Sequence, residues 1–186
     1  MIRKSTWILF ALFLFILAIG IYLNSSKGIL NQEKTPTPVI AEKALPEISL
    51  DKLVGISYIK PQSNLISLTK NTNGVWVFVS NPEMTINQAR LLELISNLNS
   101  LEVMTKMNST SKVEELGLLK NAQEINIIES DGSKIQVKIG NLTPTESGYY
   151  LQVENANPVI VGKGGLETIL GLLTQENLLE NQPISP

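Results

Sequence analysis

The sequence predicts an α+β fold, mainly an antiparallel sheet with two to three packed helices, preceded by one transmembrane helix. Three observations predict it. Two hairpin signals, Asn73-Gly74 and Asp131-Gly132, stand between β-branched runs. Leucine and isoleucine recur at three and four residues over 91–101, which is one face of a helix. The 17 residues from Trp7 to Leu23, WILFALFLFILAIGIYL, hold no charged or amide side chain.

As a helix that last run would be about 26 Å long, close to the ~30 Å hydrocarbon core of a bilayer. Trp7 and Tyr22 fall where interfacial rings sit, and Arg3 and Lys4 precede the span. Positive charge stays inside, so residues 1–6 are expected in the cytoplasm and the C-terminal domain outside. A cleaved signal peptide has a shorter apolar core and a small-residue cleavage site. Here the run ends in Ile21-Tyr22-Leu23-Asn24, and the reading is a retained, single-pass signal anchor in the cell membrane over residues 7–23. With no cysteine in the chain, lipidation at a cysteine is excluded.

Residues 24–50 read as a tether, because Thr35-Pro36-Thr37-Pro38 favours extended polyproline geometry and Pro46 follows in a polar context. The extracytoplasmic domain is expected over 51–173. Val54–Ile59 and Leu65–Thr69 are β-branched runs around the turn cluster Pro61-Gln62-Ser63-Asn64, and Asn73-Gly74 leads into Val75-Trp76-Val77-Phe78-Val79. That last run is apolar on both faces, as in a covered strand. Asn81-Pro82 then ends the strand, and Thr85 with Gln88 fits a capping box. The helix behind it buries Leu91, Leu94, Ile95, Leu98 and Leu101 and turns Arg90, Glu93 and Asn97 to solvent.

Leu101–Thr105 is expected as a strand, Asn108–Ser111 as a loop, and Lys112–Leu116 as a short helix closed by a left-handed Gly117. Two strands flank Asp131-Gly132, and in the second Ile135, Val137 and Ile139 alternate with Lys134, Gln136 and Lys138, so one face is buried and one wet. Tyr149–Val153 and Val159–Val161 follow, then a helix whose Leu166, Ile169, Leu170 and Leu173 share a face. Residues 174–186 are expected as a flexible tail.

Composition bounds function by exclusion. There are 17 acidic and 15 basic residues, and setting aside Arg3 and Lys4 leaves 17 against 13 for the exported part. Arg90 is the one arginine beyond the span, so the forked donors that read phosphates and base edges are scarce and nucleic acid is not expected as a partner. Histidine and cysteine are both zero, which removes the commonest general base, the usual zinc ligands, thiol nucleophiles and disulfides.

The segments Val75-Trp76-Val77-Phe78, a helix after Thr85, Leu116-Gly117-Leu118, Lys138-Ile139-Gly140 and Gly148-Tyr149-Tyr150 occur in this order across roughly Leu53 to Leu173. In order and spacing they resemble the bacterial membrane-anchored domain of unknown function 4340 family. The resemblance implies an N-terminal anchor helix. It also implies an envelope role, since some members are encoded beside ABC-type export or gliding machinery. The family tends to place an acidic residue at the helix start, where this chain has Asn87.

Motifs that could carry chemistry are incomplete. Gly162-Lys163-Gly164-Gly165 precedes a helix, but a phosphate loop would need glycine at Asn157 and serine or threonine at Gly164, and the dinucleotide pattern fails at Glu167. Ser67 to Lys70 and Ser109 to Lys112 match the acylating S-x-x-K pattern without its partner motifs. Glu114 and Glu115 are adjacent, so on a helix they diverge by about 100°. Asp51 and Asp131 are the only aspartates, and no calcium-loop spacing surrounds them. No catalytic, cofactor-binding or metal residue is therefore assigned, and no cofactor is expected. The expectation is a non-enzymatic module that contacts the bilayer through residues 7–23 and docks on a membrane-protein complex. A serine and lysine hydrolase at the outer membrane face is the alternative.

Overall fold

The computed structural model describes residues 13–19, 41–63, 65–108, 112–119 and 122–179. The chain forms two compact units, Met1–Ile40 and Ala41–Pro186. In the first, a helix α1 covers residues 13–19 and leaves Phe13, Phe15 and Ile16 exposed. Among the described residues no helix is long and apolar enough to cross a membrane. The remainder of the expected anchor, 7–12 and 20–23, lies outside the described residues, as do 24–40 of the expected tether.

The second unit is built on one sheet of nine strands: β1 (Leu53–Ile59), β2 (Ile66–Lys70), β3 (Trp76–Phe78), β4 (Asn81–Thr85), β5 (Val103–Lys106), β6 (Gln123–Glu129), β7 (Lys134–Leu142), β8 (Gly148–Val153) and β9 (Val159–Gly162). Their spatial order is β4-β3-β2-β1-β6-β7-β8-β9-β5, and every pairing is antiparallel. Short turns set this meander. Gly74 has φ +75, and the Asn71 side chain accepts from the amides of Asn73 and Val75, closing the β2–β3 turn. Gly132 has φ +85, and Asp131 accepts from the Ser133 amide at 2.8 Å, closing the β6–β7 hairpin.

Side-chain alternation then divides the sheet into two faces. Ile56 and Tyr58 pair with Leu68 and Ile66 on one side and with Ile127 and Ile125 on the other, and these join the core. The opposite face carries the in-register row Ser67, Ser57, Asn126, Gln136. Three helices complete the core: α2 (Gln88–Ser100), α3 (Lys163–Leu172) and α4 (Gln175–Leu178). They bury Leu91, Leu94, Leu98, Leu166, Ile169 and Leu178 against the sheet residues. Each such side chain contributes about 1.5 to 3 kcal/mol relative to leaving it in water.

The structure revises several expectations. Asn81–Thr85 does not end the sheet but forms its edge strand, where one side of the backbone needs no donor and Pro82 is tolerated. Thr85 consequently sits in β4 opposite Val77, and the cap of α2 is Asn87, whose side-chain oxygen accepts the Arg90 amide at 3.2 Å. Lys112–Leu116 is a single turn too short to be a helix. Its end is a Schellman closure, with Leu118 N–H donating to the Val113 carbonyl and Gly117 N–H, at φ +74, to that of Glu114.

Both domain boundaries also move outward. Leu45 and Ile48 are buried although they fall in the expected tether, because the Ala44 amide bonds the Leu101 carbonyl and the Ile48 backbone is clasped by the Asn99 side chain at 2.8 and 2.9 Å. Residues 174–179 of the expected tail are packed: Thr174 caps α4, Leu178 has no exposed surface, and its carbonyl accepts the Asn87 amide. Residues 180–186 lie outside the described residues.

Candidate functional site

A cleft of about 600 Å³ opens between one end of the sheet and the α3–α4 corner. Sheet topology builds its first wall. β1 runs out at Ile59-Lys60, β2 begins at Ile66 and β6 at Gln123, so antiparallel pairing brings Tyr58, Ile66 and Gln123 to the same sheet end. The Tyr58 hydroxyl donates to the Gln123 side-chain oxygen across 65 positions of sequence. The second wall is helical. α3 ends at Leu172, Leu173 turns the backbone, and Thr174 restarts it as α4, which places Leu170, Leu173, Gln175 and Glu176 on the cleft.

Ile66, Leu170 and Leu173 make the apolar part of the lining, and the polar part is largely engaged within the protein. Tyr149 donates its hydroxyl to Glu167 at 3.1 Å. Burial raises the Tyr58 phenol above its ordinary range; burial raises that of Tyr149 as well, aided by the hydrogen bond and charge of Glu167. Both therefore stay protonated donors at neutral pH. The α3 C-terminus has no basic residue in its last turn, and the Gly171 carbonyl there takes the Asn177 side-chain amide at 2.7 Å. Such an arrangement can bind through shape, aromatic faces and an electronegative helical end.

The residues considered from sequence alone do not gather at this cleft. Ser67 and Lys70 lie three apart on β2, and with a side-chain period of two they leave opposite faces. Lys70 instead stands 5.4 Å from the centre of the Trp76 ring and donates to the Leu50 carbonyl. Ser109 lies outside the described residues, while Lys112 pairs with Glu115 at 3.2 Å on an exposed surface. Glu114 and Asp51 are exposed, and Asp131 is held below the usual carboxylate range, chiefly by the Ser133 amide of its own hairpin. Gly162 caps α3, and a Cβ on Gly165 would stand 3.4 Å from Leu101, so this glycine serves helix packing.

Gly140 and Gly148 each admit the close approach of another backbone. Gly140 on β7 lies under the Leu116 carbonyl, which accepts the Asn141 amide at 2.8 Å, and Leu118 packs beside it with no exposed surface. Gly148 on β8 lies against the Val161 carbonyl of β9. A family model described as Domain of unknown function (DUF4340) matches residues 76–176, more than half of the 186-residue chain. The chain belongs to this family. No curated protein and no solved structure matches it. The DUF4340 match runs from Trp76 in β3 to Glu176 in α4 and leaves out β1 and β2, although both lie in the interior of the sheet. No motif of the sequence marks the cleft. Tyr58 and Tyr149 lie far apart in the sequence, and their convergence depends on strand order, which no local pattern encodes.

Proposed function

We propose that this DUF4340 protein is a single-pass, membrane-anchored extracytoplasmic module that docks a protein partner without turnover, as an accessory subunit of an envelope or ABC-type transport complex. The cleft at the α3–α4 corner carries the reading. Its apolar lining can take a side chain from a partner, and its tyrosine hydroxyls are already committed to Gln123 and Glu167. The sequence from Arg3 to Leu23 supports the anchor, and tethering to the same membrane raises the effective concentration of a neighbour, so a modest docking face suffices.

A photo-crosslinking residue at Gln175, tested in intact membranes, should give a discrete adduct with a membrane protein, while the same residue at Asp131 should not. Equal adducts from both positions, or none from Gln175, would remove the docking assignment. Protease added to spheroplasts should release the domain, and full protection would reverse the proposed orientation. The hydrolase alternative requires loss of activity in a folded Ser67→Ala or Ser109→Ala variant; the expected outcome is no loss.

A further inference from the structure

We propose that the helical wall of the cleft takes a cationic side chain, Lys or Arg, carried beside an aliphatic residue on an extended segment of the partner protein. This rests on the docking reading of the same cleft and names its occupant. Three features of the cleft favour a cation. The C-terminal turn of α3 reaches the lining at Gly171 and Leu173 with no basic residue in that turn, and although Asn177 and Thr174 donate to the Gly171 carbonyl, the negative end of the helix still faces the cleft. Glu176, exposed on α4, adds a carboxylate to the same lining. The half-buried Tyr149 adds an aromatic ring to the lining, which favours a cation over an anion.

The apolar requirement comes from Ile66, Leu170 and Leu173, which line the cleft between the polar groups. Among the described residues, Lys60 is the one cation of the lining and stands at the strand end. It repels a second cation from that end and directs it to the helical wall, so the bound segment acquires a preferred direction. Gly171 helps admit a backbone, since nothing lies within 4 Å of where its Cβ would be.

The full chain in zwitterionic phosphatidylcholine nanodiscs provides the test, because such a surface does not itself attract a cationic peptide. Two probes are compared: acetyl-leucyl-arginine amide, and acetyl-leucyl-citrulline amide, which keeps the shape and loses the charge. The ring resonances of Tyr58 and Tyr149 report occupancy. The arginine probe should shift both and bind roughly threefold or more tighter than the citrulline probe, as expected for one partly exposed charge contact. Glu176→Gln should narrow that difference, and high salt should do the same. Equal binding of the two probes overturns the cationic occupant while leaving a docking cleft. Failure of both probes to shift either ring overturns this inference together with the docking reading.

Discussion

Gly140→Ala should be among the most damaging small changes in this domain. A Cβ at this position would fall inside contact distance of the Leu116 carbonyl oxygen and 3.1 Å from two carbons of Leu118. The first obstacle is backbone, so no rotamer change relieves it, and the 112–119 turn must lift off β7. Lifting breaks the 2.8 Å bond from the Asn141 amide to Leu116, a loss of about 0.5 to 1.5 kcal/mol. It also wets part of Leu118, now without exposed surface, for a further loss of up to about 1.5 to 3 kcal/mol. The expected destabilisation is therefore about 2 to 4 kcal/mol. Urea unfolding measures it as a lower midpoint with little change in slope, and faster hydrogen exchange at Asn141 locates it. Gly132→Ala is the comparison, because that site is open and only its positive φ opposes a side chain, costing roughly 1 to 2 kcal/mol. A Gly140 variant no less stable than the Gly132 variant, with Asn141 still protected, would refute the packing argument.

Four other outcomes are expected. Trp76→Ala should cost about 3 to 5 kcal/mol by thermal or urea unfolding, since the ring is buried in the core with Lys70 over it. Asn87→Ala should cost about 1 kcal/mol by loss of the α2 cap, whereas Asn87→Asp should retain stability because aspartate caps equally well. A chain begun at Asp51 should unfold at lower urea than one begun at Ala41, by about 3 kcal/mol or more, because it lacks buried Leu45 and Ile48. Glu124 responds to pH. Burial pushes its pKa up, but hydrogen bonds from Gln136 and Asn126 and the charges of Lys134 and Lys138 outweigh that and leave it below 4.5. A depressed carboxyl stabilises the fold above its unfolded value and loses that contribution as pH falls through the folded value. Glu124→Gln should flatten stability against pH below about 4.5, read by unfolding across an acid series.

The sequence revealed those elements whose cause is local. Asp131-Gly132 requires positive φ, and the leucines of α2 keep helical spacing, so turn chemistry and periodicity sufficed. It misled where tertiary context overrode a local sign. Pro82 reads as a terminator, but at the edge of a sheet its missing donor is of no consequence. Thr85 and Gln88 match a capping box in spacing, while Asn87 lies nearer the first helical residue and takes the cap. Leu45 and Ile48 are surrounded by tether-like composition, and their burial depends on Asn99, which is about fifty positions away. Strand order was equally out of reach. β1 pairs with β6 across an excursion that includes four strands and a helix, and this long-range pairing assembles the cleft.

Within this chain the scaffold and the candidate recognition surface are distributed differently along the sequence. Gly117, Gly140 and Gly148 lie inside the matched span 76–176, and each is explained by backbone conformation or by close approach of another backbone. The helical wall of the cleft, with Leu170, Leu173 and Glu176, lies inside it too. Tyr58, Lys60 and Ile66 lie before it, on the β1–β2 hairpin that supplies the facing wall. A change at Lys60 therefore alters the charge that opposes Glu176 without touching the junctions that hold the sheet together. If the cleft selects its partner by charge, Lys60→Glu should abolish the preferred direction of a bound segment, because both ends of the cleft are then acidic, while leaving the unfolding midpoint nearly unchanged, as expected of an exposed charge. Equal loss of stability and of binding in that variant would place Lys60 in the scaffold instead.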